Sequence, residues 1–129
     1  MAAQGGNLLA GLGSGEGGER FETLLTASGA RIERIVSWGQ TSPPGFWYDQ
    51  VWDEWVLIVQ GRAGLRCEGE EVRELGPGDW IWLPAGCRHR VEWTEEQPPT
   101  VWLALHLGES QEGVPDASEG CCREPEQKT

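Results

Sequence analysis

The chain has 129 residues and a formal net charge of −11. So acidic a chain offers no electrostatic footprint to a phosphate backbone, which excludes nucleic acid as a partner class. No apolar run approaches the roughly 20 residues that a membrane-spanning helix needs, and the length suits one core-bearing domain rather than two.

Residues 1–18 are rich in glycine and small side chains, and only Leu8, Leu9 and Leu12 have much to bury. They read as a flexible arm, with a single turn at Asn7–Ala10 for which Asn7 is a natural cap. The arm lacks the basic leader and solid apolar stretch of a secretory signal, so the expected location is cytoplasmic. From Glu19 the pattern changes. Phe21, Leu24 and Leu25 fall at helical spacing, which predicts a short helix over Glu19–Ala27 ended by Ser28-Gly29.

Arg31–Trp38 predicts the first strand, and the Ser-Pro-Pro-Gly sequence at 42–45 ends it in a loop. Phe46–Gln60, FWYDQVWDEWVLIVQ, follows. In an extended chain alternate side chains share a face, so Tyr48, Gln50 and Glu54 point the same way, with Val56 and Ile58 continuing that face as core. Trp55, Leu57 and Val59 form the opposite, outward apolar face. A second copy packed there would bury it, which predicts a homodimer.

Ala63, Leu65 and Cys67 alternate with polar or small residues as a half-buried strand, and Glu68-Gly69-Glu70 reads as a hairpin turn returning along Glu71–Leu75. Pro77-Gly78 makes a turn, Asp79–Leu83 a short apolar strand, and Pro84-Ala85-Gly86 a second turn. His89 opens the next alternating run, Arg88–Thr94, and Thr100–Leu107 is the last strand. If Glu95–Pro99 were a hairpin loop between these two strands, Thr94 would face Thr100. Val101, Leu103 and Leu105 would then line the His89 face, and His106 would turn away from it. Eight tryptophans lie between Trp38 and Trp102; Trp52, Trp55, Trp80, Trp82 and Trp93 are expected in the core or an interface. Residues 108–129 bury almost nothing and read as a disordered tail. The four cysteines, Cys67, Cys87 and the adjacent Cys121 and Cys122, do not suggest a disulfide framework and are expected as free thiols.

About seven short strands separated by Gly and Pro turns predict an all-β sandwich or barrel. Two motifs go further. Gly78, five residues, Pro84, Ala85, Gly86, two residues and His89 resembles the second motif of the cupin superfamily, although Trp93 stands where that motif ends in Asn. Glu54, six residues and Gly61 is similar to the downstream half of the first motif; its two histidine positions are occupied by Tyr48 and Gln50. The resemblance spans Ile32 to Leu107. It implies a cupin domain over residues 19–107, folded as a double-stranded β-helix (a jelly-roll barrel) behind the short N-terminal helical segment, and it also implies dimers.

The cluster of Gln50, Glu54 and His89 offers mixed oxygen and nitrogen donors. Such a set suits a divalent metal, with iron, manganese, nickel and zinc all compatible. Too few strong ligands to close the coordination sphere would leave positions open for water or substrate, a catalytic rather than structural arrangement. Tyr48 is the expected proton donor or substrate contact. Two readings follow. One is a metal-dependent cupin oxygenase, isomerase or decarboxylase acting on an oxygen-rich or carboxylated small molecule. The other is a barrel that binds or senses a small molecule without turnover.

Overall fold

The computed structural model describes residues 2–108. The expectations for the tail and for Cys121 and Cys122 fall outside these residues, apart from Gly108. Eight strands occur among them: β1 Arg20–Ala27, β2 Ala30–Ser37, β3 Asp53–Gln60, β4 Ala63–Cys67, β5 Arg73–Leu75, β6 Trp80–Leu83, β7 His89–Thr94 and β8 Thr100–Leu107. They form a five-stranded sheet, β1-β2-β8-β3-β6, and a three-stranded sheet, β5-β4-β7. All pairings are antiparallel.

Alternation decides what each strand buries. On β3, Glu54, Val56 and Ile58 are buried while Trp55, Leu57 and Val59 are only half-buried. On β6, Ile81 and Leu83 point in and Trp80 and Trp82 point out. Between the sheets these side chains meet Leu65 and Cys67 of β4 and Trp102 and Ala104 of β8 in one apolar core. Apolar burial is the main favourable term in folding, and this core is where it is concentrated. Trp52 is buried, whereas Trp80 and Trp82 are exposed.

The expected helix over Glu19–Ala27 is instead strand β1; the described residues hold no helix. Ser28 and Gly29 both have positive φ, 52° and 78°. They form the two-residue loop of a β1–β2 hairpin, with Ala27 opposite Ala30, a turn in which Gly takes the left-handed conformation without cost. The pairing register shifts between Thr23 and Leu25, so one extra residue sits in β1. That irregularity breaks the two-residue period and leaves Phe21, Leu24 and Leu25 at a spacing that imitates a helix.

The Glu95–Pro99 hairpin is also corrected. β7 pairs with β4, and β8 pairs with β2 and β3, so the chain crosses from one sheet to the other between Thr94 and Thr100. The inward set on β8 is therefore Trp102, Ala104 and His106, not Val101, Leu103 and Leu105 as lining for the His89 face. A crossover of this kind leaves no register between β7 and β8 to infer.

The N-terminal segment lies against the outer face of the β1–β2 hairpin. Arg34 donates to the carbonyls of Leu8 (3.1 Å) and Ala10 (2.6 Å) and pairs closely with Glu22. Arg20 donates to the carbonyls of Gly11 and Leu12. Near its start, Asn7 accepts the Leu9 amide hydrogen through Oδ1 at 2.7 Å, so it caps the Asn7–Ala10 turn.

Candidate functional site

The cavity between the sheets is lined by residues from both: Glu19 and Phe21, Glu33 and Ile35, Tyr48 and Gln50, Glu54 and Val56, Leu65, Leu83, His89 and Val91, and Trp102 and His106. Its volume is about 50 Å³, room for a few waters or one small ligand.

The Pro84-Ala85-Gly86 corner is tied to the segment entering β3. Gly86, with φ of 82°, donates its amide to the Gln50 carbonyl at 2.8 Å, and Ala85 donates to Asp53 Oδ1 at 2.9 Å. A side chain at Gly86 would strain this positive-φ backbone, and these bonds fix the corner relative to Gln50. His89 follows immediately. Tyr48 and His89 exchange two backbone hydrogen bonds, of 2.7 and 3.1 Å, which lays residues 46–50 along β7. Arg90 clamps the preceding loop by donating to the carbonyls of Ser42, Pro43 and Phe46. Its guanidinium, with those of Arg66 and Arg88, also lies over the Trp47 ring.

The four residues expected from the sequence come together. Gln50, Glu54 and His89 are buried, and the Tyr48 ring stacks on His89 with centroids 5.3 Å apart. Gln50 Nε2 donates to Glu54 Oε1 at 2.9 Å. His89 Nδ1 lies 2.9 Å from the Cys87 carbonyl. A carbonyl only accepts, so Nδ1 donates to it, and Nε2 faces Glu54 Oε1, 4.0 Å away.

Sequence reasoning missed three polar members of the cavity. His106 is not turned away: it is buried, and its Nδ1 accepts the Trp52 indole hydrogen at 2.9 Å while Nε2 donates to Glu33 Oε1 at 2.8 Å. With both nitrogens engaged, His106 has no lone pair left for a metal. Glu33 also faces Arg31, 3.6 Å from its Oε2. Glu19 accepts the Ser37 hydroxyl hydrogen through Oε2 at 2.5 Å, and burial, reinforced by the charge of Glu33, raises its pKa above the usual carboxylate range. The one available signal was parity, which puts Glu33, Ile35 and Ser37 on one face of β2.

The donor set can be weighed against a metal. His89 Nε2 and Glu54 Oε1 are within the span of two ligands each about 2.0–2.2 Å from one ion. The Cys87 carbonyl orients the imidazole as an outer-shell partner does in metal sites. Among the described residues, however, no group of three or more His, Cys, Asp and Glu side chains is gathered to hold an ion. The residues therefore fit an open site with two strong donors and an amide, not a closed structural one.

Residues 38–106 match the cupin domain family. The chain belongs to the cupin family. A solved structure from Ralstonia eutropha JMP134, described as a candidate mannose-6-phosphate isomerase, is 53% identical; the match covers 83% of this chain and 100% of that one, with a TM-score of 0.79. An RmlC-like cupin from Desulfovibrio desulfuricans is 15% identical over 81% of this chain and 97% of its own, with a TM-score of 0.65. A cupin superfamily protein from Desulfitobacterium hafniense DCB-2 is 18% identical over 70% and 78%, with a TM-score of 0.59. These two share the fold. Comparison with curated proteins gave no match.

Proposed function

We propose that the cavity is a metal-dependent site for a small, oxygen-rich molecule, with Glu54, His89 and Gln50 as the residues that would hold a divalent ion. The observation that supports this most directly is the pairing of His89 Nε2 with Glu54 Oε1 at 4.0 Å, a gap that neither group closes by itself. When bound, the ion would supply Lewis-acid polarisation of a ligand oxygen. The protein does the rest. The Cys87 carbonyl sets the imidazole tautomer, the Gln50 amide orients the carboxylate, and the apolar wall of Val56, Leu65, Leu83 and Trp102 limits water. Tyr48, stacked on His89, is the substrate contact and proton donor in this reading.

The Ralstonia relative's description suggests an isomerase of a sugar phosphate. Among the described residues the cavity lining includes no Lys or Arg, so the phosphate of such a substrate would have to lie outside the cavity. The second reading, a binding barrel without turnover, is favoured by the Gln50–Glu54 hydrogen bond, which satisfies part of the cluster with no ion. Metal content of protein purified without added metal or histidine tag, for wild type and Glu54→Ala, separates the two. Near-stoichiometric metal that is lost in the variant is expected. No metal in either, and no binding of added iron, manganese, nickel or zinc, would leave the second reading.

A further inference from the structure

Two of the four cysteines meet inside the fold. Cys67 ends β4 and is buried, and Cys87 lies half-buried in the corner two residues before His89. The β4–β7 ladder sets them side by side: Cys67 stands opposite His89, and the Glu68 amide donates to the Arg88 carbonyl at 2.8 Å. Cys87 packs against the apolar core to which Cys67 belongs, and the two thiols hydrogen-bond to each other. Both are free thiols. On its backbone side, Cys87 provides the carbonyl that holds His89 Nδ1 at 2.9 Å.

We propose that Cys67 and Cys87 close a reversible disulfide that draws the Cys87 carbonyl away from His89, so that oxidation loosens an imidazole of the cavity. The oxidant is a small disulfide of the oxidised-glutathione class. Cys87, the more exposed of the two, attacks one sulfur of the small disulfide as a thiolate. That S–S bond breaks, one small thiol leaves, and Cys87 carries a mixed disulfide. Cys67, already in contact, attacks the Cys87 sulfur and releases the second small thiol. Two protein thiols thus lose two electrons and two protons, and the small disulfide takes up both.

Geometry decides which side moves. A disulfide needs its sulfurs about 2.05 Å apart, much closer than hydrogen-bonded thiols come. Cys67 is held in the ladder, and its carbonyl accepts the Glu70 amide hydrogen at 2.9 Å. Cys87 lies outside the strands, in the turn where its amide donates to the Pro84 carbonyl at 2.9 Å. The shift therefore falls on Cys87, and its carbonyl moves with it. The two backbone bonds with Tyr48 keep His89 in place, so the ring loses its partner instead of following it. The bridge and its effect on the ring do not depend on an ion at Glu54 and His89; an effect on metal binding would rest on the reading above.

The test is peptide mapping of the full chain, with no metal added, after incubation with oxidised glutathione and alkylation of the remaining thiols. Trypsin cuts after Arg66, Arg73 and Arg88, so the disulfide would join peptide 67–73 to peptide 74–88. The expected product is that linked pair, two hydrogens lighter than the separate peptides, and dithiothreitol should release it. Cys67→Ala should stop at a glutathione adduct on Cys87; without that adduct the order of attack is overturned. Unmodified thiols in the wild type, an adduct that persists on its Cys87, or Cys87 joined to Cys121 or Cys122 overturns the bridge. Should Cys67→Ala not fold, the wild-type map decides alone. Nitrogen-15 NMR of labelled histidine then reads the effect on the ring. In the bridged protein the imidazole signals that are missing from His89→Ala should shift, and reduction should restore them. Unmoved His89 signals in the bridged protein overturn the coupling to the cavity. Metal content, measured separately, reads the Glu54–His89 site.

Discussion

His89 Nε2 lies 4.0 Å from Glu54 Oε1, beyond hydrogen-bond range, although the two side chains are buried side by side. The imidazole is already held on its other side by the Cys87 carbonyl, so its inward nitrogen is directed rather than free to turn. This arrangement makes the response to removing either partner specific. Glu54→Ala and His89→Ala should each weaken zinc or manganese binding by more than about 100-fold, beyond the usual effect of losing an outer-shell partner. Isothermal titration of the metal-free protein measures this directly. Unchanged affinity in both variants would move the ion, if one binds, elsewhere.

Removing His106 should chiefly destabilise the fold. Its two ring nitrogens join Trp52 to Glu33, and all three side chains are buried. His106→Ala leaves a carboxylate and an indole N–H without this partner and opens a void. The expected loss is about 2–4 kcal/mol by urea unfolding, from buried groups left without this hydrogen bond and from the void beside them. A loss below about 1 kcal/mol would show that water replaces the imidazole without penalty.

The outward face of the large sheet gives a prediction about assembly. Trp55 lies opposite Trp82 and Leu105, and Leu57 opposite Trp80 and Leu103, so the apolar side chains are contiguous across β6, β3 and β8. Trp80 is 59% exposed and Trp82 45%. Light scattering at micromolar concentration should report a homodimer. The double substitution Trp80→Ser, Trp82→Ser should weaken it by at least about thirtyfold, the effect of losing one interface anchor. A monomeric wild type would rule out this use of the face.

Glu19 gives stability a distinct pH dependence. A carboxyl whose folded pKa lies above its ordinary 4.5 binds its proton more tightly in the folded protein. The corresponding stabilisation is complete below 4.5 and is lost as the pH rises through the raised value. Wild type should therefore lose more stability across that window than Glu19→Gln, in which the amide oxygen still accepts the Ser37 hydroxyl hydrogen. Parallel urea midpoints for the two proteins from acid to neutral pH would contradict this.

The parts of the fold legible in the sequence are those governed by short-range rules. Gly78, Gly86 and the spacing to His89 describe one corner, and two-residue parity alone places Tyr48, Gln50 and Glu54 on a common face of one extended segment. Strand β1 was hidden because the irregularity near Leu24 disturbs that parity. His106 was misplaced because β7 and β8, adjacent in sequence, belong to different sheets. Neither Glu19 nor Glu33 belongs to a motif that would single it out. Glu33 is buried against His106 and Arg31, and the half-buried Glu19 is held by Ser37; no local pattern states such long-range contacts.

The long-range hydrogen bonds in the cavity wall also bear on how the chain folds. Ser37–Trp102 and Glu33–His106 join residues 65 and 73 positions apart, and Trp52–His106 spans 54. Closing such long loops is entropically costly and yields little until the strands around them have paired. The cavity should therefore be absent from any partly folded state that lacks β8, and its polar wall should be completed only after the rate-limiting closure of the barrel. A ligand seated against this wall would then bind only the complete native state, raising the barrier to unfolding rather than accelerating folding.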